Sequence, residues 1–70
     1  MTRKPSAQRL MIHGQVLQCL WEGLTVKQIA GRLGLRVDPT GRIVRRMMVA
    51  RGVDSHVGLV LRALAEGLVR

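Results

Sequence analysis

An all-α fold of four helices is what the sequence predicts, and three observations predict it. Apolar residues recur at helical spacing almost throughout. No segment sustains an apolar-polar alternation. Glycines, an Asp-Pro pair and Thr or Ser caps divide the chain at short intervals. Seventy residues make one domain, and a chain of that size buries only about 60% of the surface its unfolded form exposes.

Residues 1–9 read as a basic, flexible arm carrying Arg3, Lys4 and Arg9, and residues 10–70 as the folded domain. The first helix is expected from about Ile12 to Glu22, with Val16, Leu17, Leu20 and Trp21 on its inner side and Gly14 weakening its start. Gly23 suits the left-handed residue that ends it. Thr25 opens the second helix, and Gln28 stands three residues on, the spacing of a capping box. Val26, Ile29, Ala30 and Leu33 make one apolar stripe, with Lys27, Gln28 and Arg32 outward and Gly34 as the stop. Leu35 is expected to drop back into the core.

Asp38-Pro39 predicts the start of the third helix, Asp as N-cap and Pro at the first position, where a missing N–H costs nothing. On a helical wheel Thr40, Ile43, Val44, Met47, Met48 and Ala50 fall on one side. Arg42, Arg45, Arg46 and Val49 fall on the other, and Gly52 ends the helix. Asp54 or Ser55 caps a fourth helix that is expected to reach about Leu68. Its polar stripe is only Gly58, Arg62 and Glu66, so aliphatic residues cover most of its circumference. A three-helix core cannot hide them all, and an exposed apolar surface of this kind marks an interface. Val57, Leu61, Leu64, Ala65 and Leu68 are the expected dimer contacts.

The charge says what the rest of the surface meets. Twelve Lys and Arg against four acids give +8, and seven of the cations lie between Lys27 and Arg51, where Asp38 is the one acid. Such a cluster points to a polyanion. With no Phe, no Tyr and one Trp, the chain lacks the aromatic platforms on which single strands stack. Duplex DNA is the expected partner. A short helix, a glycine turn and a second helix with an outward basic face form a central helix-turn-helix, whose second helix enters the major groove. Lys27 and Arg36 are candidate phosphate contacts, and Thr40 is either a helix-start hydroxyl on phosphate or part of the inner face of the helix. Arg42, Arg45 and Arg46 are candidates for phosphates and for the guanine edge.

The run Q15-V-L-Q-C-L-W-E-G-L-T-V-K-Q-I-A-G-R-L-G-L35, with R51-G-V-D-S55 and V60-L-R-A-L-A-E-G-L68, resembles the LuxR/FixJ-type (GerE-like) DNA-binding domain over roughly Arg9 to Leu68. The resemblance implies four helices, the third reading the major groove and the fourth making the dimer, here as a stand-alone module. The chain departs from the family at Pro39-Thr40-Gly41, where Gly41 removes a side chain that would reach DNA. It departs again at Arg51, which replaces a buried Leu and must snorkel or pair, and at His13, which stands where an acid is usual.

Other chemistries find little to stand on. Cys19 lies among apolar residues and reads as core, as do Trp21, Met47 and Met48. His13 and His56 have no metal-ligand spacing with each other or with Cys19, so no metal and no cofactor is expected. The four acids sit at helix ends, no phosphate-binding glycine loop appears, and no enzyme activity is expected. The N-terminus carries no secretory signal pattern and no apolar run is long enough to span a bilayer, which reads as a cytoplasmic protein without a membrane partner. A rival expectation from another class is a protein-interaction module of the same fold that binds and antagonises a larger regulator protein.

Overall fold

The computed structural model describes the backbone of residues 5–70 and the side chains of residues 11–70. The chain is a compact all-α domain: α1 (Pro5–Trp21), α2 (Val26–Leu33), α3 (Val37–Ala50) and α4 (His56–Ala65). The core joins Val16, Leu17, Cys19 and Leu20 of α1 to Ile29 of α2, Val44 and Met47 of α3, and Leu59 and Ala63 of α4. Ala30 is buried as well, as its small size at a helix crossing requires. α2 packs on α3, while α1 lies against α4.

Four helix ends share one device. At Gly34, φ is 69°, a left-handed value open to Gly because it has no Cβ. The Gly34 N–H donates to Gly31 O at 3.4 Å and the Leu35 N–H to Ala30 O at 2.8 Å, the Schellman pattern. Gly23-Leu24, Gly52-Val53 and Gly67-Leu68 repeat it. At the other end of α2 the capping box is complete. Thr25 Oγ1 accepts from the Gln28 N–H at 3.2 Å, and the Thr25 N–H donates to Gln28 Oε1 at 2.9 Å.

Several expected boundaries move. α1 begins at Pro5, so residues 5–9 belong to the helix rather than to an arm; a proline costs little at a first helical position. Arg3 and Lys4, and the side chain of Arg9, lie outside the described residues. α3 begins at Val37 with Arg36 as a cap that makes no side-chain hydrogen bond. Asp38 therefore sits inside the first turn, where its charge favours the helix dipole. Pro39 follows it, at another position whose N–H has no helical partner. Ser55, not Asp54, caps α4, accepting from the Gly58 N–H at 3.0 Å. α4 ends at Ala65 because Gly67 turns the chain, and Leu68 lies beyond the helix while Val69 folds back into the core. Leu35 is half-buried, and Ala50, the last residue of α3, is exposed.

Candidate nucleic-acid interface

α3 is held by the residues of its inner side. Thr40, Val44 and Met47 are buried, spaced i, i+4 and i+7, with Ile43 and Met48 half-buried beside them. This fixes the helix roll and leaves Arg42, Arg45, Arg46 and Val49 outward, all exposed. Lys27 on α2 and Arg36 before α3 are exposed too. Arg36 and Arg42 share a depression with Val37, Asp38 and Pro39. Arg42, Arg45 and Arg46 share the next one with Val49 and Ala50. Four of the expected DNA-contacting cations thus form a continuous strip joined through Arg42, and Lys27 stands apart from those depressions.

Thr40 is corrected. Its exposure is 0%, and its hydroxyl donates to Arg36 O at 2.7 Å. A side chain so enclosed cannot touch a phosphate; it closes the first turn of α3 from inside. The signal was present in the sequence, since Thr40 keeps step with Val44 and Met47.

The distribution of acids decides which cations are free. Glu22 receives Arg32 at 3.1 Å and also accepts from Gln18. Glu66 receives Arg51 at 3.2 Å and Arg62 at 3.7 Å. Arg51, standing where the resembled family has a Leu, pairs rather than reaching open solvent, although its buried Nε has no partner. Among the described residues, Lys27, Arg36, Arg42, Arg45 and Arg46 enter no ion pair.

The second surface is apolar. Val57, Leu61, Leu64, Ala65 and Leu68 are all exposed, Val57 at 70%. Trp21, expected in the core, is 37% exposed instead. As the last residue of α1 it lines, with Leu20, Leu24, Val57, Val60 and Leu61, a groove between α1 and α4. Cys19 is buried and free, Met47 is buried, and Met48 packs against the core, as expected. No cluster of three metal-ligating side chains occurs among the described residues, and none of their helices is long and apolar enough to cross a membrane.

Sequence reading noticed the gap at Gly41 but not what surrounds it. Val26 of α2 and Val37, Asp38, Gly41, Arg42 and Arg45 of α3 line a shallow hollow. The sequence pattern places Asp38 at a cap before the helix, whereas α3 begins at Val37 and carries both residues to the hollow. No family model, curated protein or solved structure matches the chain.

Proposed function

We infer that this chain is a sequence-specific double-stranded DNA-binding transcriptional regulator of LuxR/FixJ type, acting as a dimer with α3 in the major groove. One observation carries the reading. The exposed cations Arg36, Arg42, Arg45 and Arg46 line adjoining hollows along one helix and, among the described residues, enter no ion pair, while Arg32, Arg51 and Arg62 are engaged by carboxylates and Arg70 stands alone, away from those hollows. A strip of guanidinium groups without ion-pair partners on a helix suits phosphate and guanine contacts. In this reading Lys27 and Arg36 neutralise phosphates, and Arg42, Arg45 and Arg46 divide between phosphates and base edges. Val57, Leu61, Leu64, Ala65 and Leu68 meet their counterparts on a second copy. No catalytic step, cofactor or metal belongs to it.

Duplex binding across a salt series, with single-stranded DNA alongside, tests the reading. About six phosphate contacts give a log–log slope near −5 on duplex. Equal affinity for both nucleic acids, or no duplex binding at low salt, would refute it.

The exposed aliphatic face of α4 also favours a second reading, in which the chain pairs with a larger regulator of the same type and antagonises it. That protein would bind duplex weakly at every salt concentration and hold its protein partner without DNA.

A further inference from the structure

Two glycines inside helices, Gly58 and Gly41, have different reasons to be there. A Cβ on Gly58 would meet Ser55 Oγ at 3.1 Å and Val53 Cβ at 3.3 Å, so the tight entry into α4 favours a glycine. A Cβ on Gly41 would meet only Val26 Cγ1, at 3.9 Å, an ordinary van der Waals distance. Nor does Gly41 have a positive φ. Neither packing nor backbone explains it, and a helix-interior glycine is less favourable than alanine. Gly14 and Gly31 also have room for a Cβ, but Gly41 is the one set between Asp38 and Arg45 on the outward side of α3.

The surroundings give the vacancy a chemistry. Val26 and Val37 supply aliphatic walls, and Val37 is exposed. Arg42 and Arg45 stand at the rim, with the Asp38 carboxylate beside them. An aliphatic hollow bordered by guanidinium groups suits a small apolar group next to a hydrogen-bond acceptor. In the major groove only the 5-methyl of thymine is apolar, and guanine O6 and N7 are the acceptors that arginine pairs with bidentately.

We propose that the hollow at Gly41 takes the methyl group of a thymine lying beside a guanine read by Arg42 or Arg45. The proposal rests on the DNA-binding reading above and adds what the helix recognises. Recognition here comes from an absent side chain: α3 approaches the base edge closely because position 41 has no Cβ.

The test starts from a duplex selected by the full chain from a random-sequence pool. Each thymine is then replaced singly by deoxyuridine, which lacks the methyl group and keeps the pairing. A thymine beside guanine in each half-site should lose about fourfold in affinity on replacement, the worth of one buried methyl. Gly41→Ala should melt a few degrees higher, bind the thymine duplex more weakly, and no longer distinguish thymine from uracil at that position. The difference between the two proteins isolates the methyl contact from any general change in affinity. Tight, salt-dependent duplex binding that is indifferent to every thymine replacement, or a selected site with no fixed thymine, would overturn this proposal and leave the DNA-binding reading standing. Failure to bind any duplex would overturn both.

Discussion

The outward faces of α3 and α4 are both open to solvent, and they are made of opposite materials. α3 presents Arg42, Arg45 and Arg46, which have no acid partner among the described residues. α4 presents Val57, Leu61 and Leu64, and its own arginine, Arg62, is held by Glu66. The difference lies in where the acids stand. Glu22 and Glu66 offset charge at the edge of α2 and along α4, and the one acid on α3, Asp38, sits at its start, where it serves the helix dipole. Charge repulsion is thereby removed from the face that would meet another protein and kept on the face that would meet a polyanion.

The largest effect is expected at the arginines of α3. Replacing Arg45 and Arg46 together with Ala should weaken duplex binding by at least tenfold, since one base-reading Arg is worth about 1–3 kcal/mol. Helicity should stay unchanged by circular dichroism, because both side chains lie outside the core. Affinity equal to the parent chain would mean that α3 is not the reading helix.

Next comes the aliphatic face. Leu61→Asp should leave the monomer folded, as Leu61 is exposed, but place a charge at the centre of the expected interface. Sedimentation should then show a monomer at concentrations where the parent chain is a dimer, and affinity for a palindromic duplex should fall about tenfold. Two proteins with identical sedimentation would argue against α4 as the contact.

A smaller effect is expected where the two materials meet. Glu66→Gln removes the charge that holds Arg51 and Arg62, and Arg51 is largely enclosed. The loss should be about 1 kcal/mol, a figure kept low because Glu66 itself is partly exposed. Thermal melting would register it as a fall of several degrees, with duplex binding little changed.

The smallest effect sharpens the contrast between engaged and free cations. Arg32→Ala breaks an exposed pair with Glu22 and should shift stability by no more than about 0.5 kcal/mol. Its duplex affinity should remain close to that of the parent chain, unlike Arg45→Ala. A loss as large as that of Arg45→Ala would show that engagement by an acid does not mark which cations contact DNA.

Where chemistry is local, the sequence was legible. The Thr25–Gln28 box and the glycine stops at 23, 34 and 52 involve residues within a few positions of one another, and each formed as expected. The three arginines of α3 were readable because a wheel needs only the helix itself. What required a neighbour was not readable. Trp21 follows Leu20 on the edge of the inner stripe, and only the position of α4 decides that it stays half-exposed. The end of α4 was set three residues late because the aliphatic pattern runs on past Gly67. The hollow at Gly41 needs Val26 from a different helix to give it a wall.

The repeated helix ending has a kinetic consequence. Each reversal of the chain is closed by hydrogen bonds between residues three and five positions apart, such as Gly34 to Gly31 and Leu35 to Ala30. These bonds close without a search through distant conformations. Two contrasting bonds join Gln18 to Arg70 across 52 positions and hold Arg70 beside α1. Helical domains dominated by near-neighbour contacts fold in microseconds to milliseconds. Synthesis of a stretch of 70 residues at cellular rates takes about 4–14 s. A domain of this kind that loses its fold should therefore regain it thousands of times faster than a stretch of this length is synthesised.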